Sequence, residues 1–348
     1  MRCPEWDVAQ NATLQHVSSS PRGVVADLSE DQLLALVLPL LAGPRHEPVG
    51  PGDDAAVLDV TGQLVASTDA MVRGRDWRDE WSTPEHVAAK AVIQNLADIA
   101  AMGARPTSLL CTVVMEPQTS VDWVLRFARA LGEQCRRYDV SVAGGDLSSA
   151  PPGTLIISIT AFGELDGRPV LRSGAQPGDL VAVSGPLGRS AVGLDLLEAA
   201  TATGTDPTIL DPHALAHHRA PTAPLSQGPA AAGAQATAMM DISDGLSRDG
   251  ARIARASGVR LALESAALAP DLNWAEEHLP RDRARWCVLH GGEEHSLLAT
   301  FPPQVGVPTY WRAIGRVEAL PDGTTPGVLL DGRPLPESGW DHFHPASG

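Results

Sequence analysis

The chain has 348 residues, with 26 Lys plus Arg against 42 Asp plus Glu and a formal net charge of −16. That length allows two domains, each able to bury a core of its own. So acidic a surface repels DNA, RNA and anionic membranes, which excludes a nucleic-acid or membrane partner and leaves phosphate ligands only where divalent cations are recruited first.

Residues 1–24 carry no basic start followed by an apolar block, so a loose extension is expected there rather than a secretory signal. Residues 27–43 (DLSEDQLLALVLPLLAG) read as an amphipathic helix, with Ser29 and Gln32 in capping-box spacing. Strands are predicted over 55–60 and 63–68, joined at Thr61–Gly62. The clearest helix covers 81–104, with Thr83 as cap, Pro84 at the first helical position and Gly103 at the end. A strand over 109–115, a helix over 121–138 and strands over 140–145 and 154–165 follow. The Gly- and Pro-containing stretch 172–179 is the predicted boundary, dividing the chain into domains 25–170 and 171–348.

The second half opens with a strand over 179–185, a helix over 187–200 and a loop over 201–208. A strand–turn–helix unit starts at ATAMMDI (236–242), and further sheet is predicted at 259–264, 296–301 and 309–320. Strands and helices alternate in both halves, which predicts two α/β layers. The cysteines Cys3, Cys111, Cys135 and Cys287 form neither a CxxC pair nor a zinc spacing. Cys111 and Cys135 lie in apolar-periodic segments, so buried thiols and a reducing cytoplasm are expected. No apolar run reaches the length of a membrane span.

Five stretches place aspartates beside Gly, Ala or Ser at the end of an apolar element: GPGDDAAVLD (50–59), STDAM (67–71), NLADIAAMGA (95–104), AGGDLSS (143–149) and DISDG (241–245). Each alone also reads as a turn or a helix cap. Together, with few basic partners, they point elsewhere. Asp98 is the most telling, because its neighbours are nearly all apolar and Lys90 is two turns away. A buried carboxylate without a partner costs several kcal/mol unless it is protonated or bound to metal. Hard oxygen donors beside small residues suit Mg2+, and several Mg2+ ions in an acidic cleft imply a polyphosphate ligand. No P-loop, protein-kinase, G-x-S-x-G or HExxH motif is present. His213 and His217 have a metal-like i,i+4 spacing, but a surface helix face is the expected setting.

The ordered set GPGDDAAV, STDAMVRGRDW, AAKAVIQNLADIAAMGARP, AGGD, VLRSGAQPGD, DISDGLSRDGARIARASGV, GGEEHSLLATF and GWDHF resembles the thiamine-monophosphate kinase family, in the aminoimidazole ribonucleotide synthetase superfamily. The match runs from Gly50 to Phe343. The resemblance implies an α/β fold of two domains, an N-terminal mixed sheet with helices and a C-terminal α/β domain, paired into a homodimer through N-terminal strands. It implies transfer of the γ-phosphoryl group of ATP to thiamine monophosphate, giving thiamine diphosphate and ADP. Carried over by motif, Asp54, Ser67, Thr68, Asp69, Asp98, Asp146, Asp241 and Asp244 would hold Mg2+. Gly145, Asp146, Arg172 and Ser243 would line the nucleotide site, with Asp98, Asp241, Asp244 and Arg172 nearest the chemistry. Asp76, Glu293 and Trp340 would meet the thiamine moiety, Trp340 by stacking on a cationic ring.

Two segments depart from the family pattern. Asp76 and Trp77 stand where the family has His and an aromatic residue, and Glu294 stands where Asp is more usual. Arg73 and Arg75 are a replacement phosphate clamp or solvated loop charges. The alternative functions are a related phosphotransferase with another small acceptor, which Asp76 favours, and a silent nucleotide-binding homologue, which the intact aspartate set argues against.

Overall fold

The computed structural model describes residues 23–43, 47–52 and 54–339. Two sheets organise it. The first uses β1 (Gln63–Val72), β2 (Arg105–Met115), β3 (Ser141–Ser149) and β4 (Leu155–Leu165), in the order β1-β4-β2-β3. Only β2 and β3 run parallel. Before this sheet comes α1 (Glu30–Val37), which Ser29 and Gln32 close reciprocally as a capping box. It tightens into a 3-10 turn over Leu38–Leu41, where Pro39 cannot donate to the preceding turn. The helices α2 (Pro84–Ala101) and α3 (Val121–Arg137) complete the first core, with Val92, Leu96, Phe127, Leu131, Ile157 and Ile159 all buried.

The second sheet has seven strands: β5 (Leu180–Ser184), β6 (Ala238–Ile242), β7 (Val259–Leu263), β8 (Ser296–Phe301), β9 (Arg312–Ala319), β10 (Gly327–Leu330) and β11 (Arg333–Leu335). Their order is β11-β10-β7-β9-β5-β8-β6, antiparallel except at β10–β7. Around it lie α4 (Arg189–Thr203), α5 (Pro212–Arg219), α6 (Gln227–Gly233), α7 (Leu246–Ser257), α8 (Ala269–Glu276) and α9 (Arg281–His290).

The two halves touch through α2. Its Ala101 joins an apolar cluster with Ala182, Met239, Phe301 and Trp311 of the second sheet's neighbourhood. Helix α2 also packs on β6, the edge strand of that sheet, every residue of which is buried. After α2 the chain turns at Gly103, with φ of 80°, where an added Cβ would lie 2.8 Å from Ala232 Cβ. This single helix therefore carries first-half residues up to the end of a second-half strand.

The predicted strand over 55–60 does not form. Only one bridge, Val49 to Val57, marks that segment, which has no partner strand for a ladder. The loop predicted over 201–208 is partly helix, because α4 runs on to Thr203 and stops at Gly204 in the left-handed region. The GGD segment is not a turn. Gly144, Gly145 and Asp146 lie inside β3, and a Cβ at Gly145 would stand 2.0 Å from the Cys111 carbonyl oxygen. Close approach of the parallel partner β2 explains the glycine. Cys111, Cys135 and Cys287 are free and buried, while Cys3 lies outside the described residues. Among the described residues no helix is long and apolar enough to cross a membrane.

Candidate active site

Asp98 comes from α2 and Asp241 from the penultimate position of β6, and the packing of α2 on β6 sets them near each other. Ser67 Oγ of β1 donates to Asp98 Oδ2 at 2.7 Å. One turn earlier on α2, Asn95 Oδ1 accepts the Asp69 N–H at 3.0 Å, which locks β1 onto the helix. Burial pushes the Asp98 carboxyl up, and the charges of Asp241 and Asp69 push it further, to about 7. His295 Nδ1 lies 3.4 Å from Asp241 Oδ2. Asp98, Asp241, Asp69 and Ser67 are thus one electrostatic group drawn from both halves.

The DISDG and GGEEH segments are laced together next to it. The Glu293 N–H donates to the Ser243 carbonyl at 2.8 Å, and the His295 N–H to that of Ile242 at 2.9 Å. Glu293 and His295 hold φ values of 58° and 53°, an uncommon region for residues with side chains. A Cβ at Gly292 would fall 2.5 Å from the Ser243 carbonyl oxygen, so the lacing needs glycine there. Asp249 Oδ2 accepts the N–H groups of Asp244 and Gly245, at 2.9 and 3.1 Å. The Asp244 carboxylate is held by Arg252 at 2.5 Å.

Two cavities lie among the described residues. One, of about 640 Å3, is a cleft between the halves. Asp76, Trp77 and Trp81 line one wall, and Trp286 and Glu293 the other. Lys90 Nζ meets Glu293 Oε1 at 2.8 Å across the junction. Burial alone would raise the Glu293 carboxyl, but Lys90 and His218 hold it well below the usual carboxylate range. Asp76 Oδ2 turns back to accept the Val72 N–H at 2.6 Å. Arg73 is bound by Glu116 and does not line the cleft, whereas Arg75 does. The other cavity, of about 1000 Å3, is lined by apolar residues such as Leu34 and Phe127 together with Asp54, Gly145 and Asp146.

A family model described as AIR synthase related protein, N-terminal domain, matches residues 52–165. The thiamine-monophosphate kinase of Mycobacterium tuberculosis is 42% identical over 318 residues, covering 88% of this chain and 90% of that protein. The chain belongs to the thiamine-monophosphate kinase family. A solved structure of the thiamine-monophosphate kinase from Stenotrophomonas maltophilia K279a aligns with a TM-score of 0.72 at 30% identity, covering 88% of this chain and 96% of that one. Another solved structure, described as AaThiL complexed with AMPPCP and TMP, aligns with a TM-score of 0.71 at 31% identity, covering 91% and 98%.

In this member of the thiamine-monophosphate kinase family the expected site residues fall into separate settings. Ser67, Asp69, Asp98 and Asp241 share one group; Asp54, Gly145 and Asp146 share the larger cavity; Asp76 and Glu293 share the cleft. Thr68 Oγ1 donates to the Ile159 carbonyl at 3.0 Å and accepts from Thr160 Oγ1, so it is tied into the sheet. Ser243 contributes its carbonyl to the lacing. Arg172 is exposed, and its carbonyl accepts from Ser257 Oγ. Trp340 lies outside the described residues.

Sequence reading missed Lys90, His218 and Ser190 around Glu293, and Arg252 and Asp249 around Asp244. Their partners are remote in the chain or one to two helical turns away, and no motif marks them. His217 is not on a surface face, as expected, but buried, with Nε2 3.1 Å from the Glu294 carbonyl and 3.3 Å from Glu294 Oε2. Burial lowers its imidazole to about 4, so it is neutral near pH 7, and burial pushes the Glu294 carboxyl well above the usual carboxylate range. Glu294 thus serves the core, with Oε1 accepting the Ser190 N–H at 2.6 Å.

Proposed function

We propose that this chain transfers the γ-phosphoryl group of ATP to thiamine monophosphate, giving thiamine diphosphate and ADP. The observation that carries the reading is the carboxylate group built jointly by Asp98 and Asp241, together with a cleft lined by acidic and aromatic residues of both halves, in a chain of this family. The acceptor is a phosphate ionised at neutral pH, so the reaction needs alignment and charge neutralisation rather than a strong base. The cleft fits the rest of the acceptor. Trp77, Trp81 and Trp286 line it, with the Arg78 and Arg283 guanidinium groups lying over the rings of Trp81 and Trp286, and Glu293 offers a cationic ring a carboxylate that Lys90 helps keep ionised.

The donor set fits Mg2+. Among the described residues no three His, Cys, Asp or Glu side chains already form a ready metal group. Yet burial, with the charges of Asp241 and Asp69 added to it, holds the Asp98 proton to about pH 7, and the oxygens of all three are hard ligands. Asp98, Asp69, Asp241 and Ser67 are assigned to Mg2+ at the junction, and Asp54 and Asp146 to Mg2+ at the nucleotide cavity. Asp244 and Thr68 join them once released from Arg252 and the sheet. Bound Mg2+ would neutralise the polyphosphate and the charge that develops in transfer. Gly145, Asp146, Arg172 and Ser243 are assigned to ATP, and Asp76, Glu293 and Trp340 to the acceptor.

The same reading includes a homodimer, a cytoplasmic setting and domains meeting near 170. Strand β1 supports the dimer, because it is a ten-residue sheet edge with Leu64 and Val72 exposed. Purified protein given ATP, Mg2+ and thiamine monophosphate should form thiamine diphosphate. ATP binding without that product would shift the assignment to another acceptor.

A further inference from the structure

Lys90 lies on α2 two turns before Asp98, with only 3% of its surface exposed. A buried ammonium has three donors and needs acceptors for them. Nζ donates to Glu293 Oε1 at 2.8 Å and to the Asp76 carbonyl at 3.4 Å. The first partner belongs to the second half of the chain, and the second belongs to the loop after β1. Both line the cleft, whereas Lys90 itself does not. The other Glu293 oxygen, Oε2, stands 3.4 Å from both Ser190 Oγ and His218 Nδ1. Glu293 is therefore tethered at both oxygens, yet its side chain keeps 34% of its surface exposed. A compact ammonium can join a carboxylate and a carbonyl on separate elements, which a planar guanidinium fits poorly.

We propose that Lys90 is the positioning residue of the acceptor cleft: one buried ammonium fixes the Asp76 loop of the first half against Glu293 of the second, and so sets acceptor affinity. This rests on the reading of function given above. The hydrogen bonds of Lys90 go to two residues of the acceptor cleft, so its removal should act mainly on one substrate.

The test is the variant Lys90→Met, assayed for thiamine diphosphate formation with ATP and thiamine monophosphate varied separately. Hydrogen bonds to charged groups contribute about 1.5–3 kcal/mol, so KM for thiamine monophosphate should rise about 10- to 100-fold. KM for ATP and kcat should change by less than about threefold, a split that a merely structural role would not produce. On a Glu293→Gln background the Lys90→Met effect should shrink below about threefold, because the ammonium acts through that carboxylate. Quenching of tryptophan fluorescence by thiamine monophosphate alone should report the same loss without turnover. If Lys90→Met does not fold, Lys90→Gln takes its place, and failure of both to fold overturns the inference, since a positioning group should be separable from the fold. A parent protein that forms thiamine diphosphate while Lys90→Met keeps the parent KM overturns the inference alone. A parent protein that forms none overturns the reading of function as well.

Discussion

Replacing Asp98 by Asn should make the apoprotein more stable and the enzyme inactive. In the folded chain the Asp98 carboxyl is raised from 3.8 to about 7, first by burial and then by Asp241 and Asp69. A folded value above the unfolded one means that the carboxylate costs stability. That cost is absent below about pH 4, grows as pH rises, and is complete above about pH 7. Three units at about 1.4 kcal/mol each set an upper value of about 4 kcal/mol. Asn keeps an acceptor for Ser67 Oγ, now 2.7 Å from Asp98 Oδ2, so little is lost in exchange. Urea unfolding at pH 8 without Mg2+ should show Asp98→Asn more stable by about 2 kcal/mol, with the gain shrinking toward pH 4. Thiamine diphosphate formation should fall at least about 100-fold. A variant less stable than the parent at pH 8, or one that keeps turnover, would refute the reading of Asp98 as a strained ligand.

Further expectations concern the neighbouring elements. Asp76→His removes the acceptor of the Val72 N–H, at 2.6 Å, and should cost about 1 kcal/mol in urea unfolding. Because Asp76 adds negative charge where the acceptor phosphate arrives, KM for thiamine monophosphate should hold or fall, and a large rise would show that Asp76 makes a contact His cannot replace. Gly145→Ala places a methyl group 2.0 Å from the Cys111 carbonyl oxygen and should destabilise by about 1–3 kcal/mol, so an unchanged urea midpoint would contradict the β2–β3 register. Burial pushes the thiols of Cys111, Cys135 and Cys287 up to about 12. Mass mapping after alkylation at pH 8 should find these three unmodified in the native protein, and rapid labelling of any one would contradict its burial.

Local signals in the chain were read well where a single element decides them. Ser29 with Gln32, Pro84 at the start of α2 and Gly103 at its end each act within a few residues, and each predicted boundary lies close to the observed one. The strand expected over 55–60 failed because alternation alone cannot supply a partner. The GGD segment was open to a turn reading because the close approach of Cys111 belongs to β2, thirty-odd residues earlier. Asp98 was recognisable as an unusual carboxylate from its apolar neighbours. What it faces was not, since Asp241 arrives on a strand of the other sheet. Lys90 illustrates the same limit. Along its own helix it reads as one polar residue among alanines, and only the packing of the two halves brings Glu293 to it.

The most direct measurement is product formation. Purified protein is incubated with ATP, Mg2+ and thiamine monophosphate, and thiamine diphosphate is detected directly, with thiamine and no-acceptor controls. Product that requires both Mg2+ and the monophosphate is the predicted result. ATP bound by the protein with no thiamine diphosphate formed would contradict the assignment and direct attention to the cleft around Asp76.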